Sequence, residues 1–185
     1  MTFSASRPAL RLVPGMSEDA PAWSWFCGRC AAVPDHESVS PLARVCPSCG
    51  MGLVLETRSD AVPFPADAFL VVASCLTVQA LSYRGEQLLD KREEDVIGRP
   101  VGHFLGAAEV ESGDPEDLVA LLHATSTGND ELRSLWVRPH GAFGVRLTAR
   151  IAPCGPPRAA LVVLSRQALR RDLRIVPAGT SAATE

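Results

Sequence analysis

Cys27 and Cys30 are separated by two residues, Cys46 and Cys49 by two more, and fifteen residues lie between the pairs. This double C-x2-C spacing constrains the chain more than any other feature, because it is a pattern in which four thiolates close on one metal ion. Zinc takes four sulfur ligands at about 2.3 Å in a tetrahedron, and two residues between cysteines let one tight turn aim both sulfurs at the same ion. The first turn reads Cys27-Gly28-Arg29-Cys30 and the second Cys46-Pro47-Ser48-Cys49-Gly50. Glycine is expected to supply positive φ in these turns, and Pro47 sets φ on entry to the second. Four cysteines leave no open coordination position, so the expected site is one structural zinc rather than a catalytic one. The alternatives are iron in the same cage, two disulfides, or a dithiol redox motif. Disulfides suit an oxidising compartment, and a redox dithiol does not need a second matching pair.

β-favouring sequence flanks the pairs, Trp23-Ser24-Trp25-Phe26 before the first and Leu53-Val54-Leu55 after the second. Over residues 22–58 this resembles a zinc ribbon of the rubredoxin-like kind. His36, in Asp35-His36-Glu37 between the pairs, reads as part of a solvated turn rather than as a ligand. Four thiolate charges less the two of the cation shift the formal charge from −3 to −5.

The 185 residues allow one domain or two small ones. The longest apolar runs, such as 68–73 and 159–164, fall far short of the roughly 20 residues that cross a bilayer. Pro8, Arg11 and Pro14 interrupt the N-terminus before a signal-peptide core is complete, so a cytoplasmic protein is expected. With a net charge of −3 and a pI near 5.8, no global field draws the chain to nucleic acid or to an anionic membrane. Lys91 is the only lysine, and neither a phosphate loop nor a Gly-x-Ser-x-Gly motif is found. A non-enzymatic protein is expected.

After a Pro-containing lead-in at 59–66, the chain reads as α+β. Residues 68–73 form an apolar strand, Ser74-Cys75 a turn, and 76–81 a second strand. Ser82 is the expected N-cap of a short helix through Leu89, followed by short helices or turns over 93–96 and 97–105. A longer helix is expected from Asp114 and Pro115 to Gly128, with Leu118, Leu121 and Leu122 on its apolar face. Strands follow at 132–138 and 143–151, then a loop at 154–157 and a last apolar strand at 159–164.

This order, with Glu93-Glu94-Asp95-Val96-Ile97-Gly98-Arg99-Pro100 in its middle, resembles a PAS domain. The resemblance implies a five-stranded antiparallel sheet with helices on one face, enclosing a cavity that holds a small molecule in some members. The expected division is an N-terminal segment 1–21 without structure, a zinc ribbon 22–58, a linker 59–66, a PAS-like domain 67–165 and a tail 166–185, with ribbon and domain unfolding independently. The candidate cavity lining is Phe69, Val71, Phe104, Leu122, Trp136 and Phe143, which reads more simply as packed core than as a cofactor box. His123 on the long helix is the position compared with a haem ligand, and reads more simply as a surface histidine, as do His103 and His140. No cysteine stands where flavin-binding relatives carry one. The implied strand order brings Cys75 and Cys154 to one end of the sheet, within about 10 Å, although a disulfide needs Cα atoms within about 7 Å. They are a candidate redox pair or two inert thiols.

Two function classes remain. One is a non-enzymatic sensory or regulatory module that relays a signal through protein contacts or as a homodimer. The other is a nucleic-acid-binding regulator that uses the ribbon or the arginines of the tail, Arg166, Arg170, Arg171 and Arg174. Within 23–58, Arg29, Arg44 and Arg58 are balanced by Asp35, Glu37 and Glu56, which favours the first.

Overall fold

The computed structural model describes residues 22–35, 44–108, 117–142 and 144–166. His36, Pro115, Phe143 and the tail arginines beyond Arg166 lie outside the described residues, as does segment 1–21.

Strands β1 (Trp23–Cys27) and β2 (Val54–Arg58) form an antiparallel hairpin, with Trp23 opposite Arg58 and Cys27 opposite Val54. β3 (Ala68–Ala73) turns through Ser74 and Cys75 into β4 (Val78–Leu81). Helix α1 (Tyr83–Leu89) starts where expected, because the Ser82 hydroxyl accepts from the Gly85 amide at 2.9 Å. The same hydroxyl accepts from the Phe69 amide at 2.9 Å, tying the cap to β3. After α2 (Glu93–Val96) and a 3-10 turn (Val101–His103) come β5 (Leu105–Ala107), α3 (Leu118–Thr127), β6 (Arg133–Pro139), β7 (Leu147–Gly155) and β8 (Ala159–Ser165).

All pairings are antiparallel. β3 lies between β4 and β8, and β7 lies beside β8. β7 then serves two partners along its length: Leu147–Ile151 pairs with β6, and Cys154 and Gly155 pair with Thr57 and Glu56 of β2. β5 pairs with the other edge of β6. The result is a mostly antiparallel sheet with few helices, consistent with a PAS-like α+β fold.

Several expectations are corrected. The described residues hold eight strands rather than five, since β5 and the cysteine hairpin join the sheet. The hairpin also pairs with the sheet: β2 hydrogen-bonds β7, and the Thr57 hydroxyl donates to the Pro153 carbonyl at 2.7 Å. β7 begins later than 143 and runs through Cys154, which pairs with Ala159 instead of sitting in a loop. The N-cap of α3 is Asp117, whose carboxylate accepts from the Val119 amide at 2.9 Å; the expected cap Asp114 lies outside the described residues.

Side chains alternate along a strand, so β3 presents two faces. Ala68, Leu70 and Val72 pack with Ala160, Val162 and Leu164 of β8 and with Leu118 and Leu122 of α3. Phe69 and Val71 pack on the opposite side with Leu161 and Val163, against Phe26, Ala31 and Leu55 of the cysteine hairpin. Burial on both faces explains why 68–73 and 159–164 are continuous apolar runs rather than alternating ones. Helices cover one face and the cysteine hairpin covers the other.

Candidate metal centre

The two turns that carry the cysteines lie at the same end of the β1–β2 hairpin. The Gly28 amide donates to the Leu53 carbonyl at 2.8 Å, and the Cys46 amide to the Gly52 carbonyl at 2.7 Å. In the second turn Gly50 takes positive φ as expected; in the first it is Ala31, at φ 60°, and not Gly28. Gly52 has a further role. A Cβ there would stand 2.4 Å from Cys27 Sγ and 2.5 Å from Arg29 Cβ, so only glycine lets the second turn close on the first.

The four Sγ atoms of Cys27, Cys30, Cys46 and Cys49 lie within 4.8 Å of one another. Cys27 and Cys49 are 3.7 Å apart and Cys30 and Cys46 3.8 Å, far beyond a disulfide bond. A tetrahedron with 2.3 Å metal–sulfur bonds has edges of about 3.8 Å, which the Cys27–Cys49 and Cys30–Cys46 distances match, so the cluster could hold a metal ion. The Arg29 and Cys30 amides point at Cys27 Sγ from 3.3 and 3.5 Å, and the Gly52 amide at Cys49 Sγ from 3.4 Å. Burial pushes the Cys27 and Cys30 thiols up. At Cys49 burial also acts upward, but the Gly52 and Met51 amides and the Cys30 and Cys27 sulfurs outweigh it and bring the thiol down to about 7. Four sulfurs this close ionise together only with a cation among them. The donor set therefore fits a soft divalent metal.

Arg29, between two of these cysteines, turns its side chain out of the cage into the rest of the fold. It is 8% exposed. Its Nη1 donates to the Leu81 carbonyl at 2.8 Å, Nη2 is 3.0 Å from Glu86 Oε2, and Nη1 is 3.3 Å from Glu93 Oε2. The guanidinium lies 4.2 Å from the centroid of the Tyr83 ring, and the Tyr83 amide donates to the Arg29 carbonyl at 3.2 Å. Burial works to raise the Glu86 carboxyl, but the Glu93 amide and the Arg29 guanidinium hold it below the usual range. Counting charges along 23–58 sets Arg29 against Asp35, Glu37 and Glu56; its ion-pair partners are instead Glu86 and Glu93, a pairing that local sequence does not reveal.

The candidate cavity residues do not line one cavity. Phe69 and Val71 are buried on the hairpin side of the sheet, whereas Leu122 and Phe104 pack on the helix side. Trp136 lies between the inward-facing Leu135 and Val137 of β6 and is half-buried. His123 is exposed, its Nδ1 3.3 Å from the Ser74 carbonyl, and His103 and His140 are exposed as well. An open groove of about 940 Å³ lies elsewhere, between Ala68, Leu88, Leu147, Leu164, Arg84 and Arg150.

Ala73 lies opposite Ala159, and Ala159 opposite Cys154, so Cys154 and the turn holding Cys75 share one end of the sheet. Their surroundings differ. Cys75 is exposed, with Sγ 3.1 Å from Thr77 Oγ1, and Cys154 is buried between the sheet and the cysteine hairpin.

Among the described residues no helix is long and apolar enough to cross a membrane. No family model matches the chain, and no curated protein does. Among solved structures, the PAS domain of an HTR-like protein from Haloarcula marismortui is similar over 53% of this chain and 78% of that one, at 17% identity and a TM-score of 0.37.

Proposed function

We propose that the chain is a non-enzymatic sensory or signalling module of the PAS type, carrying a zinc ribbon that holds one structural zinc through Cys27, Cys30, Cys46 and Cys49. The observation that carries this reading is a closed cage of four sulfurs with tetrahedral zinc spacing, seated on a sheet whose first PAS-like strand, β3, lies beside its last, β8. A closed cage offers no site for substrate or water, so the metal organises structure. The signal leaves through contact with a protein partner or a second copy of the chain in the cytoplasm. Nucleic acid is the less supported partner. Arg29 is taken up by Glu86 and Glu93, Arg58 pairs with Asp60 at 2.6 Å, and Arg44 donates to the Pro156 carbonyl at 3.1 Å, so these three guanidinium groups are engaged within the chain.

Mass spectrometry of the purified chain under native conditions tests the reading. The expected species is a dimer with one zinc per chain, together with any retained small molecule. A protein with no metal overturns the zinc assignment, and specific retention of duplex DNA at physiological salt replaces protein contact with nucleic-acid binding.

A further inference from the structure

The contacts of Arg29 link the sulfur cage to a segment that contributes none of its ligands. We propose that metal occupancy of the cage controls the order of the α1–α2 segment, residues 82–97, with Arg29 as the positioning residue that transmits it. The inference rests on the zinc assignment above and adds a regulatory consequence to it.

The argument starts at the backbone. Arg29 stands between ligands Cys27 and Cys30, and its amide is one of those aimed at Cys27 Sγ. A metal that fixes both sulfurs therefore fixes the point from which the Arg29 side chain departs. Every polar partner of that side chain lies within 81–93: the Leu81 carbonyl at the end of β4, Glu86 in α1 and Glu93 at the start of α2. The two carboxylates also hold backbone amides, Glu86 Oε1 accepting from Glu93 at 2.7 Å and Glu93 Oε1 from Leu81 at 3.2 Å. One buried guanidinium thus neutralises two acids that together pin the end of β4 and the start of α2.

The receiving segment is poorly able to order itself. α1 has seven residues and α2 four, below the length at which a helix holds without tertiary support. Without the clamp, Glu86 and Glu93 lose the cation shared between them, and like charges in one site repel. Arg29 Nε has no hydrogen-bond partner, so the guanidinium is held by its two outer nitrogens and the Tyr83 ring, and depends on its backbone being in place. α3 shares a core with this segment, since Leu118 and Leu122 pack in one cluster with Val96, Leu88 and Leu89. The polar partners of Arg29 all lie within 81–93, however, so the clamp reaches the α1–α2 segment and not α3. Coupling of this kind is reciprocal: if zinc orders 82–97, loosening 82–97 must weaken zinc by the same factor.

Hydrogen exchange of the full chain, with zinc bound and after removal by a chelator, tests the coupling once zinc stoichiometry is measured. Peptides within 82–97 should exchange about tenfold faster without zinc, and peptides within 118–127 much less so. Arg29→Met should keep one zinc per chain yet exchange fast over 82–97 with or without it. Should that variant fail to fold, the double variant Glu86→Gln, Glu93→Gln leaves the cage untouched and should bind zinc about tenfold more weakly in chelator competition. Exchange over 82–97 that ignores zinc, or a double variant within twofold of wild-type affinity, overturns the coupling while the zinc assignment stands. A wild-type chain that binds no zinc overturns the assignment itself.

Discussion

The ring of Phe26 stands edge-on to that of Phe69, with centroids 6.0 Å apart and planes at 73°. Phe26 precedes the first cysteine of the cluster and Phe69 lies in the interior strand β3, so the cysteine hairpin and the sheet share a core. Both rings are almost wholly buried. Phe26→Ala should therefore destabilise the entire chain, by about 3 to 5 kcal/mol for a buried Phe truncated to Ala. Urea unfolding followed by tryptophan fluorescence reads both parts, since Trp23 and Trp25 lie in the hairpin and Trp136 in β6. A single transition moving to lower urea is expected; two separate transitions would show that the hairpin folds by itself.

Gly52→Ala tests the closeness of the two turns. A methyl group at 2.4 Å from Cys27 Sγ has to displace a ligand sulfur or the Arg29 backbone, both anchored. Chelator competition should show weaker zinc binding, whereas Gly50→Ala, where a Cβ meets nothing within 4 Å, should cost only the strain of its φ of 68°. Equal affinities for Gly52→Ala and wild type would contradict the cage geometry.

Thr57 probes the seam between β2 and β7. Its hydroxyl is buried and donates to the Pro153 carbonyl. Thr57→Val keeps the shape and removes the hydroxyl that donates to that carbonyl, at a cost of about 1 kcal/mol. The midpoint of chemical unfolding measures the loss. An unchanged midpoint would mean the seam adds nothing to stability.

The cysteine cluster and most of the secondary structure were legible in the sequence for local reasons. C-x2-C spacing encodes a turn, Ser82 encodes a cap, and apolar runs encode β3 and β8. What was not legible depends on partners distant along the chain. Thr57 and Pro153 are 96 residues apart, and nothing around either names the other. The run at 68–73 signals burial on two faces, but not that a cysteine hairpin covers the second. Gly155-Pro156-Pro157 reads as a loop beginning at Cys154, yet β7 continues to Gly155 because β2 offers it a partner there. Arg29 looks like one surface charge among several until the fold brings Glu86 and Glu93 to it.

Cys75 and Cys154 share an end of the sheet but should behave as unrelated thiols. Cys75 is exposed, and hydrogen bonding from the Thr77 hydroxyl, then from the Thr77 amide, holds its thiol below the ordinary value. Burial pushes Cys154 up to about 12, only partly opposed by Arg158. The thiolate is the nucleophile, so a lowered thiol reaches its full alkylation rate at lower pH than a free cysteine, and a raised one stays protonated throughout the neutral range. Iodoacetamide labelling of the native zinc-bound chain across pH, mapped by mass spectrometry, should modify Cys75 first. Thr77→Val should move the Cys75 curve to higher pH, because it removes the hydroxyl that favours the thiolate. Cys154 should label only after denaturant exposes it. For the same reason hydrogen peroxide should oxidise Cys75 alone, since a disulfide would require Cys154 to leave the buried layer between hairpin and sheet. Recovery of a Cys75–Cys154 disulfide from the native chain, or labelling of Cys154 at the rate of Cys75, would show that this layer opens and would restore the redox pairing that strand order alone suggests.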